Sequence, residues 1–522
     1  MKRLLSVCCA LLLGGAAQAK PIEVASPDGR LRLTVEVTDR IDYTLRDGDD
    51  AVLGGEGLAL RLADRTLGER PRLRRVSRSS ADELLQRINP TKNAGVRNRY
   101  NAVRLDFAGG YALEFRLFDE GAAYRFVTSL PGGIDVMEER VRFTLPEGSE
   151  AWLSEVGGFN SMYEEPYTLR QLSAFGPDGR MTYLPVLTAE PSGRKVLLAE
   201  SDLRDYPCMF LRGDGRGGFT ATFPRVPKEY GPKNDRSLEI LSEETYIART
   251  EGARTFPWRV AAVAREDADL VRQELVWLLA EPAAERDWSW VQPGLVSWDW
   301  WNGMRLTGVD FRAGRNTESY RRYIDFAAEN GIRGVLAEGW NVGWDGAWTK
   351  NTDRISFTEP YPDFDIARIA EYAASKGVEL IGHHETGANT KNYEAQMEEA
   401  FAFYRKYGVH VVKTGYVNVL MDGKELHDSQ YGVRHYRRVI ETAARYGICI
   451  DNHEPVMPTG LERTWPNLMT QEGVRGQEYN AWSPDGGNPP EHTTVLPFLR
   501  GLAGPMDYTF GTFDFSNPVS PF

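Results

Sequence analysis

The chain has 522 residues, with 62 basic and 74 acidic side chains and a formal charge of −12. Hydrophobic residues at 42% and charged residues at 26% exclude a mostly disordered chain. Net acidity with no block of Lys and Arg excludes a nucleic-acid partner, whose phosphates require a basic patch. Thirteen Trp are present and twelve of them lie from Trp258 onward, so the two halves are built for different work.

Lys2 and Arg3 followed by the apolar Leu4–Gly15 stretch and Ala17-Gln18-Ala19 form a secretory leader pattern, cut near Ala19. The expectation is an exported protein, periplasmic or extracellular, with residues 1–19 as signal peptide. Val7 stands where a lipoprotein signal at Cys8 would want a small residue. No later segment reaches the ~18 apolar residues of a membrane span. Cleavage leaves Cys208 and Cys449, which make no disulfide framework.

From residue 20 to about 285 the pattern has period two. Leu31, Leu33, Val35 and Val37 alternate with polar residues, and Val103–Phe107 and Leu113–Leu117 flank a Gly109-Gly110 turn. Many short runs of this kind predict an antiparallel β-sandwich. After Pro282 short apolar runs alternate with amphipathic helical patterns. The runs are 294–298, 334–337, 378–382, 409–412 and 448–450; the helical patterns are 320–328, 366–374, 393–407 and 436–446. Residues 286–522 therefore predict a parallel sheet covered by helices, best fitted by a (β/α)₈ barrel. A doubly wound sheet is the alternative, disfavoured because no glycine-rich phosphate loop follows the first run.

In a barrel the strand ends carry the chemistry. Those ends read Trp298-Asp299-Trp300-Trp301, Glu338-Gly339-Trp340, His383-His384-Glu385, Lys413-Thr414-Gly415-Tyr416 and Asn452-His453-Glu454, with Glu472, Glu478 and Asp507 beyond. Indole faces stack on sugar rings, and carboxylates bind hydroxyls, hold cations or move protons. Taken singly, each Glu reads equally well as a salt-bridge partner, each His as a satisfied polar residue, and each Trp as core. Their succession at several strand ends is what points to a carbohydrate site. Zinc spacings are missing, and a hard cation on Glu454, Glu472 and Glu478 suits oxygen ligands.

The stretch from Asn452 to Glu478 closely resembles glycoside hydrolase family 97, as do Ala337–Asn341, His384–Thr386, Leu496–Thr509, Tyr163–Tyr167 and Glu200–Pro207. The resemblance implies an N-terminal β-super-sandwich, a (β/α)₈ barrel, and calcium-dependent α-glucosidase or α-galactosidase activity. Carried over, it makes Glu478 the general acid and gives Glu385 and Glu454 the attacking water. Glu164, Glu454, Glu472 and Glu478 become the Ca²⁺ ligands, and His383, His384 and His453 the sugar contacts. Retaining members carry a nucleophilic aspartate where this chain has Gly415, so the resemblance implies inversion, which in this family goes with α-glucosidases acting on α-glucan oligosaccharides. The alternatives are a retaining α-galactosidase and a catalytically silent glycan-binding protein. A monomer or weak homo-oligomer is expected. About seven strand units precede Phe522, so the barrel is expected to be incomplete and the chain a fragment that stops before a C-terminal β-domain.

Overall fold

A computed structural model describes residues 20–511 apart from 160–161, 233–237, 301–302, 483 and 485–486. The expected leader, Trp301 and residues 512–522 lie outside the described residues. Strand Leu31–Val37 buries Leu31, Leu33 and Val35 while Arg32 and Glu36 face solvent. It is the second strand of a four-stranded antiparallel sheet running in chain order from Ile22–Ala25 to Asp50–Gly55. The glycine hairpin joins Gly95–Phe107 to Tyr111–Phe118, with Val103 opposite Phe115 and Leu105 opposite Leu113. Gly109 and Gly110 both take positive φ, at 97° and 79°, which side chains with a Cβ disfavour. That hairpin belongs to a twelve-stranded sheet, and a five-stranded antiparallel sheet packs with it. The apolar core of these sheets runs on through Tyr416, Tyr436, Met457 and Leu499, so both halves of the chain share it.

Six strands of the second half are parallel and neighbours in strict chain order: Val296–Ser297, Gly334–Leu336, Glu379–Glu385, Val411–Gly415, Cys449–Asn452 and Leu468–Gln471. A parallel bridge from Gln471 to Met506 extends the series. A doubly wound sheet reverses direction in mid-order, and this one does not.

The intervening helices repeat one set of end signals. Helices Thr317–Glu329, Ile366–Ser375, Thr390–Lys406 and Gln430–Arg445 start at Asn316, Asp365, Asn389 and Ser429, each of whose side chains accepts a backbone N–H three residues on. Each then ends at a left-handed glycine followed by Ile or Val: Gly331-Ile332, Gly377-Val378, Gly408-Val409 and Gly447-Ile448. The amides of Ile332, Val378, Val409 and Ile448 donate to Ala327, Ala373, Tyr404 and Ala443 at 2.9–3.0 Å. This is a Schellman closure with its apolar residue, and it turns the chain straight into the next strand. Four copies give the sheet a constant step and line up the strand ends at one rim. Among the described residues no helix is long and apolar enough to cross a membrane.

Candidate active site

Side chains alternate faces along a strand, and the third parallel strand shows the consequence. His383 and Glu385 point into the site, whereas His384 points to the helix layer. There the His384 ring stacks on Tyr404 at 4.9 Å and its Nδ1 lies 2.9 Å from the Tyr393 hydroxyl. Gly382 shares that outer face because a Cβ there would lie 2.4 Å from the Tyr404 ring. The structure thus corrects the expectation for His384, which packs among aromatic side chains. His383 is fully buried, and both its ring nitrogens are without a hydrogen-bond partner among the described residues. Its neighbours are Trp344, ring to ring at 5.5 Å, and Glu338 at 3.9 Å. Burial, then the charge of Lys413, holds His383 neutral, well below its ordinary pKa.

Two carboxylates from the third and fifth strands converge over the end of the fourth. The Glu385 Oε1 accepts from the amides of Gly387 at 2.7 Å and Val417 at 3.1 Å. The Glu454 Oε2 accepts from the amide of Tyr416 at 2.7 Å. Consecutive amides, Tyr416 and Val417, therefore orient one carboxylate each. Gly415 lies directly beneath: a Cβ at that position would sit 2.1 Å from the Glu385 Oε2. The space that any side chain at 415 would need is filled by Glu385.

Glu472 accepts the Glu454 amide at 3.1 Å and lies 3.3 Å from the His453 Nδ1. His453 reaches Asp507 at 2.7 Å through Nε2, with Asp451 at 3.7 Å. The ligand atoms of Asp451, His453 and Asp507 all lie within 4.8 Å of one another, an arrangement that an imidazolium among carboxylates accounts for. Burial opposes charge on His453, but Glu472 and Asp451 outweigh it and push its pKa well up. Lys413 donates to Glu338 at 3.3 Å, and Trp298 donates to the same oxygen at 2.8 Å. The Lys413 ammonium also lies 4.7 Å from the Trp298 ring. Trp298 and Trp300 stack at 5.8 Å, whereas Trp340 is core, stacked on Phe403.

Glu164 comes from the first half of the chain and accepts a hydrogen bond from the Tyr479 hydroxyl, next to Glu478. Burial, then Glu472, pushes the Glu164 carboxyl well above the ordinary range. Burial and the same neighbour push Glu478 up to about 8. Burial and Glu454 push Glu385 up to about 8, and burial and Glu472 push Glu454 up to about 7. Glu472 itself is held down, because His453 offsets the burial. Glu472 and Glu478 are buried and Glu164 and Glu454 half-buried, and the four carboxylates act on one another's charge. Oxygen donors of this kind are the type a hard divalent cation takes.

Sequence reasoning brought together Glu164, Glu385, Glu454, Glu472, Glu478, His383 and His453, and the structure gathers all seven. It missed Asp451, Tyr479 and the pairing of Asp507 with His453. Strand parity could have found Asp451, which shares a face with His453; Tyr479 carries no such signal.

Residues 24–282 match the family model for the glycosyl-hydrolase 97 N-terminal region, and residues 298–474 match that for glycoside hydrolase 97. A protein of Bacteroides thetaiotaomicron named retaining alpha-galactosidase is 34% identical over 97% of this chain and 75% of its own length. One from Streptomyces bingchenggensis, named probable retaining alpha-galactosidase, is 28% identical over 94% of this chain and 70% of its own. A glycoside hydrolase family 97 enzyme from a Pseudoalteromonas species, solved in complex with acarbose, superposes with a TM-score of 0.85 at 33% identity, covering 95% of this chain and 75% of that one. A variant of that enzyme in complex with panose gives the same figures. Both halves of the chain thus match one family: the chain belongs to glycoside hydrolase family 97.

Proposed function

We propose that this glycoside hydrolase is an exported, calcium-dependent exo-α-glucosidase that inverts the anomeric centre of α-glucan oligosaccharides. The observation that carries the reading is Gly415, which offers no nucleophile and whose Cβ space is taken by Glu385. A side chain at 415 would have to displace the Glu385 carboxylate from its present position, which supports a site that uses water and no nucleophile at 415. The sequential parallel sheet is read as part of a (β/α)₈ barrel, with residues 20–285 as the sandwich domain and 286–522 as the barrel portion.

In this mechanism Glu478 gives its proton to the glycosidic oxygen as the bond from C1 to that oxygen breaks. A water oxygen forms the new bond to C1 from the opposite face, and its proton passes to the Glu385–Glu454 pair. In the cation-free protein burial pushes the Glu478 carboxyl up to about 8, which favours its acid form near neutral pH, while a cation beside it would act in the opposite direction. His383 meets a sugar hydroxyl with ring nitrogens that no group among the described residues occupies. His453, held by Glu472 and Asp507, contributes a charged donor. Glu164, Glu454, Glu472 and Glu478 would hold calcium, whose positive charge would favour the ionised, base form of the neighbouring Glu385–Glu454 pair.

Glucose specificity draws on the Pseudoalteromonas relative, since acarbose and panose are built of α-linked glucose-type units. A second reading, retaining α-galactosidase, is favoured by the names of the two curated relatives; Gly415 stands against it. The experiment is NMR of fresh product from a maltooligosaccharide. β-Glucose should appear first. Initial α-glucose would overturn inversion, and release of galactose alone, from α-galactosides, would favour the second reading.

A further inference from the structure

The two arms that bring carboxylates to the cation cluster share a backbone feature. Tyr163, immediately before Glu164, sits at φ +63°, and Glu454 itself at φ +44°. Residues with a Cβ resist the left-handed region and stay there only when their surroundings over-determine them. One segment, residues 428–436, supplies a tie to each arm. The buried Asp428 carboxylate accepts the hydroxyl of the equally buried Tyr163. The Asp428 carbonyl accepts the Cys208 amide at 2.9 Å, a second tie to the first half of the chain. Two helical turns further on, the Tyr436 hydroxyl donates to the Glu454 carbonyl. The segment is anchored independently: Ser429 caps its helix, and the Gln430 side chain bonds the carbonyls of Asp205 and Arg249 at 3.0 and 2.9 Å.

We propose that Asp428 is a positioning residue: through Tyr163 it sets Glu164, while Tyr436 from the same segment sets Glu454, so that one stretch aligns cation ligands from both halves of the chain. Asp428 touches neither substrate nor cation. Its effect is on how well the ligands are preorganised, which should appear in cation affinity before it appears in folding. The inference rests on the reading of these glutamates as calcium ligands.

The test is calorimetric titration of calcium into the whole chain, as wild type, Tyr163→Phe, Asp428→Ala and Asp428→Asn, with melting in EDTA beside it. Tyr163→Phe and Asp428→Ala should bind calcium at least about tenfold more weakly, the scale of losing an outer-shell partner. Asp428→Asn, whose amide oxygen still accepts the Tyr163 hydroxyl, should bind close to wild type. A purely structural role predicts that affinity follows the EDTA melting temperature, and that pattern would overturn the proposal. Should Asp428→Ala fail to fold, Tyr163→Phe, which loses one oxygen, decides. Wild type that does not bind calcium sinks the cation reading and this inference with it. Wild type that binds, with Tyr163→Phe equal to it, sinks this inference alone.

Discussion

In the β-rich first half, Arg259 is enclosed between Glu139 and Glu200, bonding the first through two nitrogens at 2.5 and 2.9 Å and the second at 2.6 Å. Asp47 is surrounded in the same way by Arg265, Arg194 and Arg30 at 2.5, 3.2 and 3.6 Å. At the rim, Glu164, Glu385, Glu454 and Glu478 are gathered with no basic side chain in ion-pair contact with them among the described residues; Lys413 is engaged by Glu338, and His453 by Glu472 and Asp507. Acidic side chains, buried in the first region and buried or half-buried at the rim, are thus neutralised in one place and crowded in the other. Paired charges hold a fold together. A fold that forces like charges together gains nothing in stability from doing so, and such crowding marks the place where chemistry is done.

The largest expected effect tests the rim. Glu478→Gln should lower kcat on a maltooligosaccharide by about 10²–10⁴-fold, the usual contribution of a general acid. Its melting temperature in EDTA should stay level or rise, because one repelling carboxylate is gone. Full activity would remove Glu478 from the acid role. Next comes the β-rich first half. Arg259→Met leaves Glu139 and Glu200 buried against each other and should cost about 3–5 kcal/mol of stability by denaturant melt. A melt like wild type would show that pairing is not what holds this region, and the contrast between the two regions would fail.

Some of this contrast was legible in the sequence and some was not. Period two at Leu31–Val37 and around Gly109-Gly110 fixes strands whose apolar face must be buried, so the β-rich first half follows from local pattern. The runs ending in His383, Lys413 and Asn452 were legible because charged and polar groups follow short apolar stretches there. The recurring glycine followed by Ile or Val, from Gly331-Ile332 to Gly447-Ile448, is an equally plain signal of repeated helix-to-strand turns. His383 and His384 show the limit of reading residue types without parity: adjacent strand positions face opposite ways, and only one could reach the site. Glu164 was reachable through family resemblance alone, since its partner Tyr479 lies 315 positions away. The Tyr163–Asp428 tie spans 265 positions and carries no local signature. Long-range polar pairing across two halves of a chain leaves no trace in periodicity.

A smaller effect is expected at Gly415. Gly415→Ala would place a methyl 2.1 Å from the Glu385 Oε2, forcing that carboxylate aside. A displacement of about 1 Å in a positioned group costs on the order of 10²-fold in rate, so kcat should fall by about that factor with little change in melting. Unchanged kcat would mean that Glu385 does not act from its present position.

The last and smallest effect is the pH dependence of melting, in which the two regions should pull in opposite directions. In EDTA, burial and like neighbours hold Glu385 and Glu478 at about 8 and Glu454 at about 7, against 4.5 for an ordinary Glu. The folded state therefore binds these protons more tightly than the unfolded chain. The stability they confer is complete below pH 4.5 and is lost as pH rises to about 8. Asp47 is the reverse case: burial works against its charge, but the hydrogen bond from Arg265 and the neighbouring Arg30 and Arg194 hold it below 3.8, so its contribution is present above that value and fades as pH falls further. Without calcium, the melting temperature should decline from about pH 5 to pH 8; with calcium in excess, bound charge replaces the missing protons and the decline should flatten. Below the ordinary aspartate range both traces should fall together, because the ion pairs of the first half do not depend on the cation. Parallel traces between pH 5 and 8 would mean that the rim carboxylates do not share their charge with calcium.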